Sequence, residues 1–534
     1  MNRIAKQKRF IIHHSSFIIS KSMYKKKIKS ALISVYYKDG LAPIVEELNR
    51  LKVKIYSTGG TQAFIENLGV PVEAVETLTT YPSILDGRVK TLHPKIFGGI
   101  LARRGENHAA QLEQYAIPEI DLVIVDLYPF EETVATTQNE EDIIEKIDIG
   151  GISLIRAAAK NFNDVVVVPH RDEYQTFLNL LIEKTGFTEL EDRKILALKA
   201  FNISSHYDSA IFNWFAAHTE GAQTDQIFKK SLQHADTLRY GENPHQAAAF
   251  FGNLNAIFDI LNGKTLSFNN LVDVDAAMRL ITEFKEDAPT FAILKHTNAC
   301  GVATKKTLLE AWKAALASDP ISAFGGILVC NKKVDVATAQ EISKLFYEVI
   351  LAPEYDADAL AVLCAKKQRI VVRVKNFEQQ AKSFKTLLNG VVQQDADLRT
   401  ETSKDLKFVT NLRPTESEIN DLLYANICVK HLKSNGIAIV KNRQLITMGC
   451  GQTSRVDALQ HALEKAKHFG FNLHGAVMAS EAFFPFPDCV EIAHKAGITA
   501  VIQPGGSVKD QDSINYCNEN GLSMVMTGIR HFLH

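Results

Sequence analysis

This chain of 534 residues is short of the features that classify a protein quickly. It contains no C-x-x-C pair. Its seven cysteines (Cys300, Cys330, Cys364, Cys428, Cys450, Cys489 and Cys517) make an odd count. That argues against a disulfide framework and a cysteine-rich zinc site, and for a reducing cytoplasm. Charge of neither sign is in excess. Lys+Arg 60 against Asp+Glu 61 leaves a formal −1, so no global basic field speaks for nucleic acid and any phosphate site must be local. No apolar run approaches the length of a membrane span. The glycine patterns of the Rossmann and P-loop motifs are missing. So is the H-x-E with a later P-C-x-x-C that a zinc nucleoside deaminase needs. What is present, 46% hydrophobic and 23% charged residues, suits a soluble enzyme of two to four domains.

Residues 1–38 carry no acidic side chain and many Lys and Arg, as targeting segments do. Their apolar part is broken by His13-His14-Ser15-Ser16, and no small-residue cleavage site follows. The expectation is an upstream extension before a true start at Met23, with a disordered basic arm over 1–27. A first domain over 28–222 then opens with a strand from Ile28, a helix from Leu41 to Leu51 and a strand from Val53 to Tyr56. Ser57-Thr58-Gly59-Gly60-Thr61 leads into a helix. Such a turn cradles phosphate through backbone N–H groups and the helix dipole, or is simply a Thr-capped turn. Gly87 to Pro94 gathers Arg88, Lys90 and His93. An Arg fork and a Lys point charge suit phosphate, and Leu92 and Pro94 make the stretch look packed rather than a solvated run. The strand Leu122 to Leu127 ends at Tyr128-Pro129-Phe130. Asp148-Ile149-Gly150-Gly151 precedes a helix closing on Lys160, where a cation complements carbonyl dipoles. By residue type alone, that structural role is the favoured one for Lys160. Residues 183–215 read as helical and 216–225 as a linker.

The second domain, 223–534, is organised around Leu294 to Ala303. An apolar strand, Phe291 to Leu294, delivers Lys295 and His296 to a turn, and a helix from Thr307 to Ala317 follows. The adjacent ammonium disfavours a second positive charge, so the imidazole tends to stay neutral and able to accept a proton. Asn298, Cys300 and Gly301 are expected to add polar groups and a flexible turn; a solvated strand end is the plainer alternative. Arg239 and Tyr240, in a polar loop, can pair an anion and stack on a flat ring. Strand-then-helix units recur to the C-terminus, suggesting two similar α/β halves although no strict repeat is visible.

The stretches STGGT, GRVKTLHP, LYPF, DIGG with RAAAKN, LRYGENPHQ, KHTNACG, SN, GQTSR, FFPF and PGGS occur in this order. The chain from about residue 28 onward resembles the bifunctional purine biosynthesis family that joins AICAR formyltransferase to IMP cyclohydrolase. The resemblance implies an α/β fold: a methylglyoxal-synthase-like N-terminal domain, then a larger domain of two cytidine-deaminase-like halves. It implies a cytoplasmic homodimer with formyltransferase sites shared between subunits. It also implies 10-formyltetrahydrofolate as co-substrate, no metal for the chemistry, and no nucleic-acid or membrane partner. By the same resemblance Lys295, His296 and Asn435 serve formyl transfer, and Lys160, Tyr128 and Asp148 handle protons in ring closure. Tyr36, Tyr37, Lys38, Thr58, Gly59, Gly60, Thr61, Arg88, Val89, Lys90, Thr91, Val125, Asp126 and Ile149 match nucleotide loops of the cyclohydrolase. Arg239, Tyr240, Asn270, Gly325, Glu348, Phe483, Asp488 and Arg530 match AICAR contacts, and Arg455 and Val508 the folate side. Three positions depart from the family pattern. Tyr37 stands where a carboxylate is common, Ala299 where Pro is common, and Glu348 replaces an Asp. The rival readings are a nucleotide deaminase and a nucleotide-sensing regulatory protein.

Overall fold

The computed structural model describes residues 25–221 and 226–534. The extension expected over 1–22 and the last linker residues lie outside the described residues. Lys26–Lys27 do not continue a disordered arm: they pair antiparallel with Phe187–Thr188. The chain divides into two compact units, the change falling between Leu232 and Gln233.

The first unit is built on five parallel strands: β1 (Ser30–Ser34), β2 (Lys54–Ser57), β3 (Glu73–Ala74), β4 (Leu122–Val125) and β5 (Val166–Val168). Their order is β3-β2-β1-β4-β5. Ala31, Leu32 and Ile33, Leu122 to Val125 and Val166 to Val168 are all buried, the near-continuous apolar runs of a sheet covered on both faces. β1 stops at Ser34, so Val35, Tyr36 and Tyr37 leave the sheet as a loop at its C-terminal edge. Most of the stretch expected to be helical over 183–215 is one helix, Leu190–His218, set off from a preceding helix, Tyr174–Glu183, by a non-helical 184–189. Gly186, at φ +78°, turns the chain between them against Leu51. That break depends on a left-handed residue, which apolar periodicity does not register. The second helix runs on to His218, into the expected linker.

The second unit holds two six-stranded sheets. The first contains β6 (Phe258–Asn262), β7 (Thr290–Lys295), β8 (Asn298–Thr304), β9 (Gly326–Cys330), β10 (Tyr347–Ala352) and β11 (Ile370–Val374). The second contains β12 (Lys407–Phe408), β13 (Ile437–Val440), β14 (Leu445–Gly449), β15 (Ala476–Ser480), β16 (Ile498–Gln503) and β17 (Ser523–Met526). The orders are β6-β11-β10-β9-β7-β8 and β12-β17-β16-β15-β13-β14. Each reads first, sixth, fifth, fourth, second, third, with matching parallel and antiparallel pairings. The repeat that is faint in the residues is therefore complete in the topology. One apolar core serves both halves, with Ala292, Leu294 and Val329 from one and Leu422, Val429 and Ala438 from the other.

The Leu294 to Ala303 stretch differs from expectation. β7 and β8 form a hairpin whose two loop residues, His296 (φ 49°) and Thr297 (φ 66°), are both left-handed, the mark of a type I′ turn. Asn298 to Thr304 is thus a strand rather than a flexible turn, and Ala299 and Cys300 are buried in it. Gly301 serves close packing: a Cβ there would run into the Ala315 carbonyl of the helix Leu308–Ser318. Gly301→Ala is expected to cost about 1–3 kcal/mol through overpacking, read as a lower urea midpoint. Among the described residues no helix is long and apolar enough to cross a membrane.

Candidate active sites

At the C-terminal edge of the first sheet five loops converge, where ligands sit in open parallel sheets. Ser34 and Thr58 share a hydroxyl hydrogen bond of 2.8 Å, so Thr58 leaves uncapped the helix Gly59–Asn67 that follows it. The first N–H groups of that helix remain available to an anion. Lys90 projects against this turn, its Nζ 3.4 Å from where a Cβ on Gly59 would stand. Thr91 Oγ1 lies 2.9 Å from the corresponding point on Gly150. The Val35 amide donates to Thr61 Oγ1 at 3.0 Å. Asp126, buried under the same edge, accepts from the amides of Tyr36 and, at 3.0 Å, Tyr37. Burial pushes its carboxyl up, against those two amides. Lys38 folds back onto the carbonyls of Val35 and Tyr36 at 2.8 and 2.7 Å. Tyr37 departs from a carboxylate, and its hydroxyl instead meets Glu132 at 2.7 Å.

The rings of Tyr36 and Tyr128 meet edge to face at 5.8 Å. Asp148 accepts from Gly151 N–H at 2.6 Å, and its own amide donates to the Tyr207 hydroxyl at 2.9 Å. Burial raises the Asp148 pKa, and burial followed by the Asp148 charge raises that of Tyr128. A carboxyl held upward in this way keeps its proton more readily than a free one, which suits a proton-handling role. Lys160 is not part of the cluster within one chain. It ends the 11-residue helix that Gly150 begins, about 15 Å along the axis. Arg88 is ion-paired with Glu145, and Ile149 is exposed beside the glycines.

In the second unit the I′ turn presents His296 at the surface, with Lys295 half-buried behind it. Lys295 Nζ donates to the Phe324 carbonyl at 2.7 Å, beside the left-handed Gly325. Asp273 Oδ1 accepts from Thr297 N–H at 2.7 Å and locks the turn to the helix Phe268–Thr282. On the same helix Asn270 donates to Glu348 at 2.6 Å, joining two of the expected AICAR contacts to each other. Asn269 holds the Glu242 carbonyl at 3.3 Å, which ties the loop after Arg239 and Tyr240 to this helix. A second cluster lies on the other half. Arg455 bridges Asn435 Oδ1 at 3.0 Å and Glu481 at 3.1 Å, and reaches the Phe483 carbonyl at 3.4 Å. The segments beside the two clusters are linked: Asn298 Oδ1 accepts from Lys433 N–H at 3.1 Å.

The family model "MGS-like domain" matches residues 40–153, and "AICARFT/IMPCHase bienzyme" matches residues 158–465. "Bifunctional purine biosynthesis protein PurH" of Bacteroides thetaiotaomicron is 60% identical over 510 residues, 95% of this chain and 99% of that one. The proteins of the same name from Aquifex aeolicus and Persephonella marina are 46% and 44% identical, covering 94% and 95% of this chain and all of theirs. The chain belongs to the AICARFT/IMPCHase bienzyme family. A solved structure titled "Crystal structure of ForH" matches 35% of this chain and 99% of its own at 35% identity, with a TM-score of 0.32, too low to bear on the fold.

The bienzyme is a bifunctional enzyme of purine biosynthesis, pairing AICAR formyltransferase with IMP cyclohydrolase, and its transferase activity implies a formyl-folate co-substrate. Its fold is an MGS-like domain followed by a larger mixed α/β domain. Three groups at the sites escape sequence reasoning. Asp273 orients the His296 turn. Glu481, at 0% exposure, holds Arg455 and accepts from Gly436 N–H at 3.0 Å. His531 is buried between Asp397 at 2.6 Å and Glu401 at 3.1 Å. Asp273, three residues after Asn270 and so on the same helix face, had a readable signal; the other two meet their partners only through long-range folding. Asp488 caps its own amide neighbour Cys489, Arg530 lies over the Phe532 ring at 4.4 Å, and Val508 is 98% exposed.

His531 also sets a pH limit. Burial alone would lower its pKa, but hydrogen bonds to Asp397 and Glu401 outweigh burial and push it up to about 9. A group raised above its unfolded value of about 6.5 stabilises the fold fully below that pH and loses the contribution as pH rises through 9. Thermal midpoints should therefore fall between those values, and His531→Gln should flatten that slope.

Proposed function

We propose that the first unit carries the ring closure and the second the formyl transfer from 10-formyltetrahydrofolate. In the transfer, the AICAR amine attacks the formyl carbon, a new C–N bond forms, and the bond from that carbon to the folate nitrogen breaks. The amine is a poor nucleophile because its lone pair is spread into the ring and carboxamide. His296 removes its proton, and the Lys295 ammonium stabilises the oxyanion and the departing nitrogen. The observation that carries this reading is the turn itself: a tight, Asp273-locked hairpin that exposes His296 directly beside an anchored lysine. Asn435 orients the carboxamide, with Arg239, Tyr240, Asn270, Gly325, Glu348, Phe483, Asp488 and Arg530 around AICAR, and Arg455 and Val508 toward the folate.

In ring closure the carboxamide nitrogen attacks the formamide carbon of the same molecule and water leaves, so positioning does much of the work. Asp148 and Tyr128 move the protons. Thr58 to Thr61, Lys90 and Thr91 hold the phosphate, and Tyr36 to Lys38, Arg88, Val89, Val125, Asp126 and Ile149 the rest of the nucleotide. Lys160 is retained as a proton-handling residue, although its helix end stands apart from Asp148. The transferase sites are read as shared between the subunits of a homodimer. Apolar exposure around them, Phe324 at 61% and Val508 at 98%, supports this. Seven free thiols suit a reducing cytoplasm.

The test mixes enzyme, AICAR and 10-formyltetrahydrofolate and follows tetrahydrofolate and IMP together. Both should appear, and a wild-type enzyme that forms neither refutes the reading. Lys160→Ala should release tetrahydrofolate normally yet fall at least tenfold in IMP formation. Unchanged IMP formation would return Lys160 to a purely structural role.

A further inference from the structure

The repeat in the second unit gives the His296 turn a counterpart, and one of its residues, Arg443, lines a pocket of its own. Leu294 faces Ile327 on the fourth strand of its sheet, and Val440 faces Val477 on the fourth strand of the other. Counting on one residue, Lys295 corresponds to Lys441, and each lysine Nζ is held by a carbonyl: Phe324 at 2.7 Å and His474 at 2.6 Å. The left-handed pair His296-Thr297 corresponds to Asn442-Arg443, at φ 54° and 53°. Asp273, which grips the first turn, corresponds to Asp421, which accepts from the Asn442 and Arg443 amides at 2.7 Å each. The duplicate retains the lysine and the geometry but has an amide in place of the imidazole. An amide cannot take a proton from an amine.

Beside this second turn lies an open surface groove of about 920 Å³, between Arg443 and the segment Thr304 to Ala317 of the first half. Four cations, Lys305, Lys306, Lys313 and Arg443, line it against one carboxylate, Glu310. Glu310 is already engaged in capping its own helix through Thr307. Arg443 is paired with Asp287, whereas Lys306 and Lys313 have no carboxylate within ion-pair distance among the described residues. Lys305 Nζ is half-buried on the Asn442 carbonyl at 2.6 Å. Burial presses that ammonium toward its neutral form, a penalty an incoming anion would relieve. Phe471, Ala314 and Ala317 give the groove an apolar floor.

We propose that this pocket is a non-catalytic binding site for a nucleoside monophosphate, its phosphate held by Lys305, Lys306 and Lys313 and its flat ring laid against Phe471. The ligand is a ribotide of the kind the proposed reactions consume or release. The assignment does not depend on the role given to His296.

Calorimetric titration of the full-length chain with AICAR and with IMP, against a Lys306→Glu/Lys313→Glu variant, tests it. The wild type should bind one equivalent per chain more than the variant. The nucleotide that fills this extra site at the lower concentration tells substrate from product. A milder Lys306→Ala/Lys313→Ala variant with an unchanged melting midpoint should weaken the same site about tenfold and guards against misfolding. Superimposable isotherms for both nucleotides overturn the proposal. So does displacement of the extra equivalent by inorganic phosphate at the nucleotide's own concentration, since the ring would then contribute nothing.

Discussion

His296→Ala is expected to lower formyl transfer by about 10²–10⁴-fold, the range for loss of a positioned general base. Ring closure of pre-formed formyl-AICAR should continue at the wild-type rate, because the first unit has its own cluster around Asp148 and Tyr128. The substitution should be mild for stability: His296 is exposed, and no core packing depends on its ring. The left-handed backbone at φ 49° is the one local liability, since Ala tolerates it less readily than His. Asp273 and the hairpin register should nevertheless hold the turn. Separate assays of the two half-reactions give the answer, and transfer at an undiminished rate would remove His296 from the mechanism. Lys295→Ala should share the defect but for a different reason: it removes the charge that stabilises the developing anion.

The largest effect on stability should come from Glu283→Ala, at about 3–5 kcal/mol, the usual result of leaving a buried charge unpaired. Glu283 follows the helix Phe268–Thr282, and His431 follows its counterpart in the repeat, Glu416–Lys430. The two therefore occupy matching positions in the two halves, and their side chains meet at 3.1 Å. Lys430, its side chain only 4% exposed, adds a 2.7 Å bond to the same carboxylate. Burial alone would raise the Glu283 pKa, but His431 and Lys430 outweigh it and draw the carboxyl down to about 2. Because the folded pKa lies below the unfolded value of about 4.5, the stabilisation is present above that pH and lost as pH falls toward 2. Urea unfolding should show wild type and variant converging in acid and diverging above pH 5. A parallel pair of curves would mean that this carboxylate does not join the halves as argued.

Local chemistry carried much of the fold into the sequence. The strands β4 and β5 announce themselves as short apolar runs, and the helix Leu308–Ser318 as an amphipathic stretch capped by Thr307. The ordered motifs, from STGGT to PGGS, carried the family, which the relatives share over almost the whole length. Those signals are legible because strand burial, capping and turn formation depend on neighbours a few residues away.

What the tertiary structure alone decided are the matters of distance. It turned the residues after Lys295 from a loose turn into a hairpin strand. It drew Asp126 to the Tyr36 loop and Glu481 to Arg455, and it left Lys160 at the far end of its helix from Asp148. It also made the two halves equivalent strand by strand, although their residues have drifted too far for the repeat to be read along the chain. Sheet order and hydrogen-bond register need only an apolar face and a backbone, so they persist where side chains do not. Which side chains then share a site depends on pairings between separate elements, from Asp273 with the Thr297 amide to Asp126 with the Tyr36 amide, and no local pattern encodes them.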